Sequence, residues 1–531
     1  MDAIPFTLGQ RSRQLRGLLF LITALGGTWI VADRIVSGSF DSVIMTGLAI
    51  SLAVVTITTL NNWRAGVLLF ISWLLFEDLV RKYLGNGLIL LFGKDALAAI
   101  IYLSFWMSER RRNTGWFRPP FLVPLVLFFS LAFIQVFNSW TPSVLYGFLG
   151  LKLYFYYVPL LYIGYFYVRT ARDLDQLIVY NLALGMAIAL LGIVQSIMGS
   201  QFLSPATLAP DLRVLGNLTR YSPLTHQAVL APTSVFVSTG RFSRYTISLV
   251  ILAFGAQGYL RLTRTRRAAY GLLALGIAVV AAMQSGTRGA IVYAAISVLV
   301  LSAGFSWGTP RHWKHGRLMT KAVRRALLVI ALGLFLMVQF FPRVIGANWA
   351  FYSETLSPTS SASELRARSW DYPLLNLMTA LHHPRWLYGD GTGTASLGMQ
   401  YVARVLGQEP IGFWVENGWG TLILEMGILG PILWIAWTSS LLYFSWKAVR
   451  QLRGTVYFPL ALAIFWYAFI LLVPFSYNGM ASYQDYIMNA YLWLWIGVLF
   501  RLPHLARNQQ PLSHPVQSPE LRTATAYAGG A

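Results

Sequence analysis

The chain has 531 residues, 56% of them hydrophobic and only 11% charged, with a net charge of +22 and no cysteine. Soluble domains carry about 25% charged residues, so a water-soluble core is excluded as the main architecture. The missing thiols exclude disulfides, thiolate nucleophiles, zinc–thiolate sites and palmitoylation.

Apolar runs recur along the chain at the roughly 17–25 residues needed to cross hydrocarbon as a helix. They are solidly apolar and do not alternate, which argues for helices over a barrel. The expected fold is an all-α polytopic membrane protein. Spans are expected near 17–36, 41–60, 65–80, 87–106, 120–137, 144–168, 175–197, 246–262, 268–284, 288–306, 325–341, 418–446, 455–474 and 484–502, about fourteen within a range of 12–14. The first follows Arg11, Arg13 and Arg16 and lacks a small-residue cleavage site, so it reads as an uncleaved span. The third ends in Phe76-Glu-Asp-Leu-Val-Arg-Lys82 and reads as partly interfacial.

Four regions follow. Residues 1–341 hold the first eleven spans, 342–417 form one large outward-facing loop with amphipathic helices, and 418–502 hold the last three spans. Residues 503–531 are polar, with Pro and Ser, and read as a disordered cytoplasmic tail.

Orientation comes from the basic residues, which concentrate in cytoplasmic loops. With the N-terminus inside, the inner loops hold 26 of the 41 Lys and Arg, without shifting any span. Both termini are then cytoplasmic, and the charge belongs to short membrane loops instead of a nucleic-acid surface. The other 15 basic residues are not explained this way. Lys94 and Lys152 fall within spans; Arg34, Arg81 and Lys82 flank them. Arg213, Arg220, Arg241, Arg244, Arg288, Arg343, Arg366, Arg368, Arg385 and Arg404 all fall on the outer side. Arginine binds phosphate through a bidentate fork and stays charged when partly desolvated. An outer-surface anion is the expected ligand, with lipid headgroups or pairing to Glu354, Glu364, Asp371 and Asp390 as the plainer account of any single arginine.

Individual motifs sharpen this. Phe236-Val-Ser-Thr-Gly-Arg-Phe-Ser-Arg-Tyr245 places Arg241 and Arg244 on one helix face, either as ligand groups or as an interfacial anchor. Ser285-Gly-Thr-Arg-Gly-Ala290 is a tight outer turn presenting Arg288. Ser361-Ala-Ser-Glu364 is a capping-box pattern opening a helix with Arg366 and Arg368, followed by an apolar stripe of Leu374, Leu377, Met378 and Leu381. That stripe reads as packing of an amphipathic helix on the membrane. Gly389-Asp-Gly-Thr-Gly-Thr394 follows no strand and reads as a turn more than a phosphate cradle. Asp173-Leu-Asp175 has the spacing of a metal-holding acid pair, but no domain surrounds it, and chance is the better reading. The seven histidines form no outward metal cluster; His382 and His383 are candidate catalytic groups in the loop.

Glu416-Asn417, nine residues, then Gly427-Ile-Leu-Gly430, together with the Ser-Gly-Thr-Arg turn, resemble the bacterial O-antigen ligase and polysaccharide polymerase superfamily. Phe76-Glu-Asp-Leu-Val-Arg-Lys-Tyr83 and Gly150-Leu-Lys-Leu-Tyr154 look like its early landmarks, so the resemblance covers roughly residues 60–502. Ligases show His where this chain has Glu416, and Glu looks more like the exopolysaccharide or O-antigen polymerase branch. The resemblance implies a metal-independent membrane glycosyltransferase in the bacterial inner membrane, without cofactor. Its donor would be a glycan on undecaprenyl diphosphate and its acceptor a growing polysaccharide, with membrane lipid and a chain-length regulator as further partners and no nucleic acid.

In that reading Arg288, with Arg241 or Arg244, stabilises the departing diphosphate, and Arg366 and Arg368 add clamps. Glu416 serves as base or positions the acceptor hydroxyl, beside Asn417. The alternatives are a ligase to lipid A-core or another acceptor and, from a different class, a transporter or flippase. Transporters show internal repeats and mid-membrane charges. No repeat is evident here; Lys94-Asp95, read as an internal ion pair, and Lys152 are the charges that fit a transporter.

Overall fold

A computed structural model describes residues 53–85, 88–112, 115–204, 218–221, 228–263, 267–309, 316–356, 366, 370–409 and 415–509. The first expected span, most of the second, Arg213, the 361–364 capping box and Arg368 lie outside those residues. The chain divides into two units, 1–115 and 116–531.

In the first unit, α1 (Trp63–Leu84) and α2 (Leu88–Arg112) pack together. Asn62 caps α1 by accepting the Arg64 and Ala65 N–H groups. The charged end of α1 is buried: Glu77, Asp78, Arg81 and Lys82 are all nearly inaccessible. Lys94 Nζ reaches Glu77 Oε1 at 2.9 Å, and Arg81 pairs with Asp78 at 3.0 Å. Lys94 therefore pairs across the two helices.

The second unit is helical apart from one two-stranded ribbon, among the described residues. Its helices are α3 (Leu122–Ile134), α4 (Val144–Phe155), α5 (Leu160–Tyr167), α6 (Ala171–Met198), α7 (Thr239–Leu262), α8 (Ala268–Gln284), α9 (Arg288–Trp307) and α10 (Gly316–Phe340). They continue as α11 (Pro342–Leu356), α12 (Tyr372–Leu381), α13 (Met399–Leu406), α14 (Gly418–Met426), α15 (Leu429–Gln451), α16 (Phe458–Ile470) and α17 (Tyr486–Gln509). Among the described residues, six stretches are long and apolar enough to cross a membrane: Val144–Tyr167, Ala171–Met198, Thr239–Leu262, Arg288–Trp307, Gly316–Phe340 and Phe458–Asn478. Helix α7 is the central one, buried almost throughout and packed against α8, α9 and α16. By contrast α10 exposes Leu328, Leu332, Phe335 and Phe340, the pattern of a helix whose outer face meets lipid.

Two expectations change. The run 418–446 is not one span, because the chain breaks at Gly427 (φ 69°) into α14 and α15. The left-handed φ and the contact with the Leu387 carbonyl suit glycine and stop the helix. At the other end, α17 continues through Pro503 to Gln509, so the tail does not start at 503. Leu502 and Leu505 are buried, and their packing carries the helix past the proline.

Candidate anion-binding site

Ser238 opens α7 by accepting the Arg241 N–H at 3.2 Å. Arg241 and Arg244 follow one turn apart and therefore share a face. Both reach Asp485: Arg241 Nε lies 2.7 Å from Oδ2 and Arg244 Nη2 3.6 Å from it. Arg241 also stacks over Tyr486 at 4.6 Å. Asp485 is fully buried, and its other oxygen accepts the Ile487 and Met488 N–H groups at 3.0 and 3.4 Å, capping α17. One carboxylate thus fixes the start of α17 and the aim of two arginines. Arg244 Nε is buried with no hydrogen-bond partner among the described residues, a donor still to be satisfied.

Arg288 joins them through its turn. Gly286 sits at φ 62°, and a Cβ there would meet Ala231 Cβ at 2.7 Å, so only glycine lets the turn lie on the end of the ribbon. The Thr287 hydroxyl donates to Ser243 Oγ at 2.6 Å, tying the residue before Arg288 to the residue before Arg244. The Arg288 guanidinium stands 4.5 Å over the Phe351 ring. Next to Phe351, the Tyr352 hydroxyl donates to the Met283 carbonyl at 2.9 Å. Burial pushes that hydroxyl up in pKa, while a bond from the Gly286 backbone and the charges of Arg220 and Arg288 act against the rise. Arg220 lies on β1 (Thr219–Tyr221), which pairs antiparallel with β2 (Ala228–Leu230), and its Nη2 donates to Thr239 Oγ1 at 3.2 Å.

Four arginines from three separate segments therefore meet around the start of α7. Sequence reasoning expected Arg288 with Arg241 or Arg244; the fold brings both and adds Arg220, until then only one of the outer arginines. It missed Asp485 and Tyr352. An Asp directly before an apolar helix is a readable N-cap signal, so Asp485 was open to discovery as a cap; its second role needs the tertiary fold.

The other candidates stand apart from these contacts. Arg366 is 77% exposed and lies 3.7 Å from Asp371, which is itself exposed. His382 is exposed, with Nδ1 2.7 Å from the Met378 carbonyl. His383 Nε2 lies 3.6 Å from Asp390. Glu416 is exposed, and its N–H donates to Asn376 Oδ1 at 2.9 Å. The helix cap is the next residue: Asn417 is fully buried and accepts the Gly420 N–H at 2.8 Å. Its Nδ2 is buried with no hydrogen-bond partner among the described residues. Of the apolar stripe on α12, Leu377 and Leu381 pack on Ile423 and Leu424 of α14, while Met378 is exposed. That part of the stripe faces protein and not the bilayer, since α14 offers the apolar partner.

The glycine-rich 389–394 segment is structural. Its N–H groups are already committed: Asp390 to the Leu424 carbonyl, Gly391 to Glu425, Thr392 to Gln135 and Thr394 to Gly391. A phosphate would find few free donors there. The fully buried Glu425 holds the segment, accepting from Ser396 Oγ at 2.7 Å, Ala395 N at 3.2 Å and Tyr154 Oη at 2.9 Å. Gly150 and Tyr154, two landmarks four residues apart on α4, thus meet this loop: Gly150 lies against Thr392 and Gly393. The acid pair at 173–175 is structural as well. Asp173 completes a capping box with Thr170, and Asp175 accepts from Tyr259 at 2.8 Å.

No family model matches the chain, and no curated protein does.

Proposed function

We propose that the chain is a membrane glycosyltransferase that transfers or polymerises glycan repeat units from an undecaprenyl-diphosphate donor at the outer face of the bacterial inner membrane, as a polymerase. The observation that carries this reading is the meeting of Arg220, Arg241, Arg244 and Arg288 at the end of a buried apolar helix. A diphosphate on a lipid tail needs a polycationic pocket beside an apolar surface. Guanidinium forks held by Asp485 and the Thr287–Ser243 bond are preorganised for the charge that grows as the diphosphate departs. No lysine amine could bind a phosphoryl group bidentately in the same way.

In this reading Glu416 takes the proton of the acceptor hydroxyl or positions it. Its carboxylate is exposed and is not used as the cap of α14, so it is open to an acceptor.

The test is the length of the surface glycan in cells lacking the protein. Single repeats on their carrier, with no polymer, are the expected outcome. Intact polymer left on its lipid carrier would make the chain a ligase, and repeats trapped at the inner face would make it a flippase.

A further inference from the structure

A second surface of the unit has the makings of a sugar site. The segment after α3 and the segment before the glycine-rich turn are clamped together by side chain to backbone bonds. Gln135 Nε2 donates to the Tyr388 carbonyl at 2.7 Å, Asn138 Nδ2 to the Gly389 carbonyl at 3.0 Å and Thr141 Oγ1 to the Asp390 carbonyl at 2.9 Å. Around this clamp Trp140 is 61% exposed, Tyr388 69% and Trp386 39%. Beside Trp140 sits a polar pair: Arg385 stacks on its ring at 4.8 Å and forms an ion pair with Asp390, which also faces His383.

Asp390 is the unusual member. The buried acids nearby are saturated with donors, Glu425 by a backbone N–H and two hydroxyls and Asp485 by two N–H groups and arginine. Asp390 is only 18% exposed, yet among the described residues its carboxylate accepts no hydrogen bond beyond its contacts with Arg385 and His383. Oδ1 is buried against Arg385, which leaves Oδ2, 3.6 Å from His383, to accept ligand hydroxyls.

We propose that Trp140, Trp386 and Tyr388, with Arg385 and Asp390, form a platform that binds the pyranose rings of an uncharged glycan. The C–H face of a sugar lies on an aromatic ring, while its hydroxyl edge donates to a carboxylate and accepts from a guanidinium. The Arg385–Asp390 pair cancels its own charge, so an anionic headgroup gains little there and a neutral polyhydroxyl ligand is favoured. An interfacial belt also uses Trp and Tyr, but it has no use for a partly buried carboxylate whose only partners among the described residues are Arg385 and His383. The platform rests on the proposed glycosyltransferase reading for the identity of its glycan, the acceptor chain. The segment that follows the platform is tied to the neighbourhood of the arginine site, where the Leu397 N–H donates to Oε1 of Gln484, the residue before Asp485, at 2.8 Å.

The experiment uses full-length protein in nanodiscs on an array of lipid-free bacterial repeat-unit oligosaccharides, neutral and acidic. Binding of neutral members is expected, and Trp140→Ala and Asp390→Asn should each weaken it about tenfold. Retention of inorganic pyrophosphate, read in parallel, should be unchanged in both variants. No bound oligosaccharide, or binding unaltered by both substitutions, overturns the platform while leaving the pyrophosphate readout to judge the arginine site. The chain has no cysteine, so Tyr388→Cys carrying a bimane label adds a second readout. Strong quenching by headgroup-spin-labelled lipid, insensitive to oligosaccharide, would assign the aromatic residues to the bilayer and also overturn the proposal.

Discussion

The start of α7 and the glycine-rich turn at 389–394 are both built from glycines, hydroxyls and a buried acid, yet they use these parts in opposite ways. At the turn, Glu425 collects donors and the N–H groups of Gly389, Asp390, Gly391, Thr392 and Thr394 are spent on neighbouring carbonyls. At α7, Asp485 directs two guanidiniums whose forks remain large relative to the one carboxylate they share, and Arg244 keeps a buried N–H without a partner. A buried acid surrounded by neutral donors locks a backbone. The same acid between arginines presents cations. Composition of a motif therefore says little about its role until the donors around its acid are counted.

The sharpest way to break this comparison is Arg288→Ala. It removes a cation from the α7 cluster and leaves Thr287, Ser243 and Gly286 in place, so the turn should survive. Polymer synthesis is expected to fall at least about a hundredfold, in line with losing a preorganised charge stabiliser, with membrane abundance unchanged. Arg288→Lys should recover little, because the fork and not the charge alone is needed. Wild-type polymer from Arg288→Ala would take the residue out of the site.

Glu425→Gln probes the other region and should give the converse result. A Gln amide would turn one N–H toward groups that themselves donate, leaving a buried donor unmatched at a cost of about 1–3 kcal/mol. A lowered thermal midpoint in detergent is expected, with near-normal turnover per folded molecule. Lost turnover at an unchanged midpoint would mean that Glu425 takes part in chemistry and that the contrast between the two acids is false.

The sequence already contained much of this. Solid apolar runs disclosed a helical membrane protein, because hydrocarbon leaves the backbone no other partner than itself. The two glycines of Ser-Gly-Thr-Arg-Gly marked a tight turn and with it Arg288. What stayed hidden was long-range. Arg220 reaches the site only because β1 lies beside the start of α7, and Asp485 acts on arginines 241 and 244 positions upstream in the chain. The break at Gly427 was masked by the apolar residues on both sides, which satisfy a hydropathy window whether or not the helix is continuous. Asp390 read only as a partner for an outer arginine, which Arg385 is; that Arg385 and His383 are its only partners among the described residues becomes visible once its neighbours are in place.

The smallest effect expected is that of Arg366→Ala, and it separates two kinds of outer arginine. Residues 366 and 288 look alike in sequence, each an arginine expected on the outward side near a small-residue turn. In the fold Arg288 is partly buried against Phe351 and its turn is bonded to α7, whereas Arg366 is largely in water, 3.7 Å from an exposed aspartate. Exposed pairs of that kind contribute about 0–1 kcal/mol and fade with salt. A solvated side chain would also have to give up much rotamer freedom before it could clamp a phosphate. Polymer synthesis by Arg366→Ala should therefore stay within about twofold of wild type, measured beside Arg288→Ala at the same protein level. A tenfold loss would show that the 366–371 segment closes on the donor during turnover, and the arginine site would then extend into the outer loop.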